Sequence, residues 1–299
     1  MKIYRTPERR FRSIKEFPFS PNYVTVEGIR IHYVDEGPKN ADPILLMHGE
    51  PSWSYLYRKM IPPLVDAGYR AVAPDLVGFG KSDKPAKQSD YSYTNHLRWM
   101  QSWLDRVNLR NIILFCQDWG SLIGLRLAVA NKSRFNRIIL ANGGLPAPRS
   151  DSRPPSKAFL RWRAFSQKSP ILPIGKIIQM GTYGTVTKEV LKGYKAPFPG
   201  LKYKAGARVF PLLVPLYPYD PEAENNVKAW EEYSEWDIPF LTAFSDKDAI
   251  TRGQDKIIQK KAKGAKNREH YTIKNAGHFL QEEQPQQLVD IILKFAKEK

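Results

Sequence analysis

The chain has 299 residues, 42% of them hydrophobic and 26% charged, the balance of a globular protein with enough chain for a sizeable core in one large domain or two ordinary ones. Lys and Arg outnumber Asp and Glu by 47 to 30, but the basic residues are scattered, clustering only at Arg9, Arg10 and Arg12 and at Lys260, Lys261, Lys263 and Lys266, without a nucleic-acid motif, so the formal charge of +17 is read as a solvated surface rather than a specific nucleic-acid site. No apolar run nears the roughly 20 residues of a membrane span, the first ten residues lack a secretory apolar stretch, and Cys116 is the single cysteine, so a cytoplasmic protein without internal disulfide or membrane attachment is expected.

In chain order, residues 23–26 and 29–34 alternate apolar and polar side chains around Glu27-Gly28, which predicts a hairpin of two half-buried strands. Short apolar runs follow at 43–47, 70–74, 112–115, 137–140 and 239–244, the pattern of buried parallel strands. Helical stretches at 53–67, 96–107 and 122–131 lie between them and supply crossovers. The fold class is therefore α/β, a mainly parallel sheet with helices on both faces. Residues 269–273 read as the last strand and 286–297 as the closing helix. Between Leu145 and Pro218 the alternation breaks down, and prolines from Pro146 to Pro218 punctuate short helical pieces. The aromatic residues Phe159, Trp162, Phe165, Tyr183 and Phe210 there suggest a lid over the carboxyl ends of the strands, where open α/β sheets bind ligands. The expected division is a core of residues 1–144 and 219–299 with a helical cap at 145–218.

The run Phe115-Cys116-Gln117-Asp118-Trp119-Gly120-Ser121 joins a predicted strand to a predicted helix, and Cys116, Gly120 and Ser121 are small enough for a sharp turn. Such a junction fits a nucleophile elbow with Asp118 where serine is usual. A carboxylate is a poor reagent for peptides or simple esters, but it can displace a leaving group from saturated carbon and form an alkyl ester. The plainer alternative is an aspartate capping the following helix. As a nucleophile, Asp118 needs a base, an acid to orient the base and donors for the ester carbonyl. His278, in Asn275-Ala276-Gly277-His278-Phe279 after the last strand, is the candidate base, and Asp246 and Asp248 are candidate acids in the chain order nucleophile, acid, histidine. His32, His96 and His270 lack comparable settings and are given surface or capping roles. His48-Gly49-Glu50-Pro51 follows the third strand, so the backbone N–H groups of Glu50 and Trp119 are the expected oxyanion donors. Cys116, inside the strand, is read as a small packing residue.

These residues resemble the haloalkane dehalogenases, in particular the subfamily whose catalytic acid follows the seventh strand. The resemblance covers nearly the whole chain. It rests on residues 46–62 and 73–85, on Gln117-Asp118-Trp119-Gly120, on Ala276-Gly277-His278-Phe279-Leu280-Gln281-Glu282, and on Phe159-Leu160-Arg161-Trp162 and Ala196-Pro197-Phe198-Pro199. It implies the α/β-hydrolase fold, with an eight-stranded, mostly parallel sheet and an inserted helical cap. It also implies Asp118 as nucleophile, His278 as base, Asp248 as its acid, and two halide-binding tryptophans, Trp119 and, from the Phe-x-x-Trp spacing, Trp162. Asn142 lies where other subfamilies carry the acid; its amide favours Asp248 in that role and is a candidate for holding halide or water. Phe159, Phe210, Pro211, Leu212 and Val214 are candidate pocket walls. The implied partners are a small haloalkane, water and halide, with no cofactor or metal, and a monomer is expected. The nearest rival is an epoxide hydrolase, which shares the Asp nucleophile but protonates its alkoxide from cap tyrosines, here Tyr183, Tyr194 and Tyr203. A fluoroacetate dehalogenase fits less well, because Trp119 stands where its arginine would. A non-catalytic receptor on the same scaffold would not need the triad.

Overall fold

Glu27 and Gly28 both take positive φ, 52° and 77°, and close the predicted hairpin between β1 (Asn22–Val26) and β2 (Ile29–Glu36), with Val26 opposite Ile29. The structure is a computed structural model that describes residues 1–152 and 154–298. The remaining strands of the main sheet are β3 (Pro43–Met47), β4 (Arg70–Pro74), β5 (Ile112–Asp118), β6 (Phe135–Gly143), β7 (Phe240–Ser245) and β8 (Tyr271–Ile273). Their order is β8-β7-β6-β5-β3-β4-β2-β1, and only the β1–β2 and β2–β4 pairs are antiparallel. Ile3–Tyr4 and Lys84–Pro85 form a separate small antiparallel pair.

The period-two alternation of the central strands feeds two cores. In β5, Leu114 and Cys116 join one buried cluster with Trp99, Trp103 and Ile123, whereas Ile113 and Phe115 join the other with Leu64, Leu288 and Ile292. Burying one such large side chain contributes about 1.5–3 kcal/mol, so β5 is held from both faces up to the residue before Asp118. Cys116 is buried among these packing residues.

The helices are α1 (Ile61–Asp66), α2 (Tyr93–Val107), α3 (Trp119–Ala130), α4 (Lys157–Lys168), α5 (Ile174–Gly181), α6 (Lys188–Lys195), α7 (Ala205–Leu213), α8 (Ala223–Glu235), α9 (Gln254–Lys261), α10 (Leu280–Glu283) and α11 (Pro285–Ala296). Two of the differences from expectation have clear reasons. The single helix predicted over 53–67 is instead a 3-10 turn at Ser54–Tyr57 followed by the short α1, whose first turn contains Pro62 and Pro63; proline cannot donate the backbone bond that would join the pieces. Helix α2 starts earlier than predicted because Ser92 caps it, its Oγ accepting from the Asn95 N–H at 3.0 Å.

No strand lies between β6 and β7 among the described residues; α4 to α8 occupy that stretch, with α4 packed on α7 and α5 on α6. No described helix is long and apolar enough to cross a membrane. Two histidines given surface or capping roles are fully buried instead. His32 Nδ1 meets Asp75 Oδ2 at 2.7 Å, and His96 packs among Tyr91, Trp99 and Phe210.

Candidate active site

Strand β5 is buried throughout except for its last residue, Asp118, whose side chain is 22% exposed. Asp118 has φ 50° and ψ −128°, a conformation that costs a non-glycine residue on the order of 1–3 kcal/mol. Close neighbours over-determine it. A Cβ on Gly120 would run into the Met47 carbonyl, and one on Gly49 would run into the Asp118 carboxylate itself. Ser121 Oγ donates to the Asp118 carbonyl at 2.5 Å and accepts the Gly144 N–H at 2.8 Å, which ties the turn to the end of β6.

Although Asp118 stands at the N-cap position of α3, its side chain makes no capping hydrogen bond. Its two oxygens are divided. Oδ1 accepts the Glu50 N–H at 2.7 Å, and Oδ2 lies 3.4 Å from His278 Nε2. Trp119 opens α3, so its N–H belongs to the first turn, which has no carbonyl partner within the helix. The Glu50 loop is pinned by His48: Nε2 accepts from the Leu76 N–H at 3.0 Å and Nδ1 sits 2.9 Å from the Gly49 carbonyl. One neutral tautomer, with the proton on Nδ1, satisfies both contacts, and burial lowers the pKa of His48 in keeping with it. Burial and the charge of Asp118 push the carboxyl group of Glu50 well above its ordinary range, and its Oε1 has no partner.

His278 sits on the loop between β8 and α10, with its own N–H donating to the Gly181 carbonyl at the end of α5 at 2.6 Å. Of the two candidate acids, Asp248 reaches it, with Oδ2 3.1 Å from Nδ1. Asp246 instead lies beside Lys247, 3.5 Å away. Asp248 is oriented by the Ile250 N–H at 2.8 Å and by the Thr251 hydroxyl. Burial raises its pKa, but the charge of His278 and these hydrogen bonds outweigh burial and hold it at about 2. Burial likewise acts downward on His278, and Asp248 together with Asp118 overcomes it, raising the imidazole to about 10.

Two amides complete the surroundings. Asn142 Nδ2 donates to Ser245 Oγ at 2.7 Å and the Gly277 carbonyl at 2.9 Å, with the His278 carbonyl 3.2 Å away, while Oδ1 accepts the Ser245 N–H. Its amide is thus engaged in joining β6, β7 and the histidine loop. Gln117, which the sequence reading passed over, puts Nε2 2.9 Å from His278 Nε2. The available signal was a polar residue within an otherwise apolar strand.

Trp119 is buried, stacked on Phe210 at 4.5 Å and 11° and edge-on to Tyr93 at 5.3 Å. Phe210 also stacks on Phe79 at 4.7 Å. Trp162 lies on α4, half-buried and stacked on Phe165 at 5.8 Å, one helix away from Phe210. Of the other suggested walls, Pro211 is buried, Phe159 and Val214 are half-buried, and Leu212 is partly exposed. The tyrosines that an epoxide hydrolase would need are otherwise disposed: Tyr194 donates to Glu282 Oε2 at 2.9 Å, Tyr183 is exposed beside Lys247, and Tyr203 packs on Tyr4. Among the described residues no three His, Cys, Asp or Glu side chains are grouped to hold a metal ion.

Residues 42–285 match the α/β-hydrolase fold family. The chain is 51% identical to a haloalkane dehalogenase of Psychrobacter cryohalolentis over 99% of this chain and 98% of that protein. It is 48% identical to a haloalkane dehalogenase of Mycolicibacterium paratuberculosis over 98% of each. Among solved structures, a tetrameric haloalkane dehalogenase from Paraglaciecola agarilytica superposes with a TM-score of 0.89 at 36% identity, covering 98% of this chain and 97% of that one.

Proposed function

The chain belongs to the haloalkane dehalogenases of the α/β-hydrolase fold, and on that premise we propose that Asp118 is the nucleophile, His278 the base, Asp248 its orienting acid, and Trp119 and Trp162 the halide donors. The enzyme hydrolyses carbon–halogen bonds of haloalkanes to an alcohol, halide and a proton. The observation that carries the residue assignment is the division of labour between the oxygens of Asp118, Oδ1 on the Glu50 N–H and Oδ2 near His278.

In this reading Oδ2 attacks carbon from behind the carbon–halogen bond, forming the C–O bond as the halide leaves with the bonding electrons. Oδ1 becomes the ester carbonyl oxygen and already rests on its first donor, with the Trp119 N–H as the second. The halide is too weak a base to need a proton, so indole N–H groups in an apolar setting suit it, and the stack with Phe210 supports Trp119 in one orientation. Esterification removes the charge of Asp118, one of the two that favour the imidazolium, and His278 releases its proton to solvent, the proton of the overall reaction. It can then take a proton from the water that adds to the ester carbonyl. Collapse expels the alcohol and restores both carboxylate and imidazolium.

A single turnover in H2-18O with enzyme in excess separates this route from direct attack by water on carbon. The expected alcohol is unlabelled, with the label in the Asp118 carboxylate; labelled alcohol in the first turnover would exclude the ester. For the second tryptophan, Trp162→Phe should weaken bromide binding about tenfold or more, since a hydrogen bond to a charged group contributes about 1.5–3 kcal/mol. Fluorescence titration with bromide measures it, and unchanged affinity would remove Trp162 from the assignment. The tetramer is the assembly of the Paraglaciecola relative.

A further inference from the structure

Gln117 is fully buried, one residue before Asp118, and its amide nitrogen lies 2.9 Å from His278 Nε2 and 3.3 Å from the His278 carbonyl, while its Oε1 is buried without a partner. An amide has two faces, and the surroundings decide between them. With nitrogen toward His278, one N–H meets the ring lone pair and another meets the carbonyl. Turned over, the amide oxygen would confront the carbonyl oxygen of His278, acceptor against acceptor, and the bond that the nitrogen now gives that carbonyl would be lost. In the neutral ring the donor orientation goes with one tautomer, lone pair on Nε2 and proton on Nδ1 toward Asp248 Oδ2.

We propose that Gln117 is a positioning residue whose amide N–H favours the neutral imidazole of His278 in the alkyl-enzyme, with the Nε2 lone pair presented to the hydrolytic water. A hydrogen bond given to the neutral form works against the cation. Three acidic groups face His278: Asp118 at 3.4 Å and Asp248 at 3.1 Å favour the imidazolium, while burial and the charge of Asp118 push the Glu50 carboxyl well above its ordinary range. In the alkyl-enzyme Asp118 no longer carries a charge, so the donor at Nε2 weighs most in the step where a base is needed. When water arrives, the amide retains its bond to the His278 carbonyl and yields the lone pair to the water O–H.

The proposal rests on the assignment of Asp118 and His278, and the test separates the two. Rapid-quench measurements with a bromoalkane follow the bromide burst, which reports alkylation, and the later release of alcohol, which reports ester hydrolysis, across pH. In Gln117→Met and Gln117→Leu the burst should stay near one bromide per chain. The midpoint of the hydrolysis–pH curve should rise by about one unit, so hydrolysis below the midpoint slows about tenfold and approaches the wild-type plateau at high pH. Either variant suffices if the other does not fold. An equal loss at every pH would mean that Gln117 only fills space, and a downward midpoint would mean that its oxygen faces the ring; each overturns the proposal. Labelled alcohol in a single wild-type turnover in H2-18O would instead overturn the assignment beneath it.

Discussion

His278→Ala should release one equivalent of bromide from a bromoalkane and then stop, leaving protein that is heavier by one alkyl group. The first step needs only the Asp118 carboxylate, still oriented by the Glu50 N–H, and the halide donors. The second needs a base, and neither neighbour can replace it. Asp248 lies on the far side of the ring, 3.1 Å from Nδ1, with its oxygens engaged by Ile250 and Thr251. Burial and the charge of Asp118 push the Glu50 carboxyl well above its ordinary range, disfavouring its ionised form. Removing a positioned base slows its step by roughly 10²–10⁴-fold, enough for the ester to outlast sample handling. Intact-mass and peptide analysis should find the adduct on Asp118. A folded variant that releases bromide yet stays unmodified, or carries the alkyl group elsewhere, contradicts the mechanism.

Much of this site was legible because its chemistry depends on residue types that few other settings demand. Small residues crowded around an aspartate at a strand-to-helix junction read as an elbow, and the structure gives the physical reason in Gly49 and Gly120, where a single methyl group would strike Asp118 or Met47. The sheet was legible for a similar reason: β5 faces a core on each side, so its alternation disappears into an apolar run. Choices that depend on direction were less accessible. Asp246 and Asp248 are two residues apart on one loop, and pattern alone does not say which turns toward His278. Gln117 reads as an unremarkable polar residue until the ring beside it is in place. The same applies to His32, whose partner Asp75 is 43 residues away. Local propensity also lost to covalent geometry at Pro62-Pro63, where an apolar stretch that looked like one helix is divided.

Arg58→Met should lower stability far more than its place outside the chemistry suggests, by about 3–5 kcal/mol. Arg58 is wholly buried and forms a two-pronged pair with Glu282, 2.7 Å on each side, while also donating to the Tyr55 carbonyl at 3.1 Å. Glu282 is joined as well by Lys59 at 2.8 Å and by the Tyr194 hydroxyl at 2.9 Å, so one carboxylate links the turn before α1, helix α6 and the segment that follows His278. Removal of the guanidinium leaves a buried carboxylate with only the partly exposed Lys59 to balance it. Replacing both members, in Arg58→Met with Glu282→Leu, removes the stranded charge and should recover most of the loss. The pairing holds Glu282 below the ordinary glutamate range against the pull of burial. Its contribution is therefore complete above the unfolded pKa of about 4.3 and is lost as pH falls through the lower folded value. The gap between wild type and Arg58→Met should accordingly be full at neutral pH and shrink in acid. Denaturant midpoints at the two pH values measure this, and a single variant as stable as wild type, or a double variant no better than the single, would show that the pair does not lock α6 to the histidine loop.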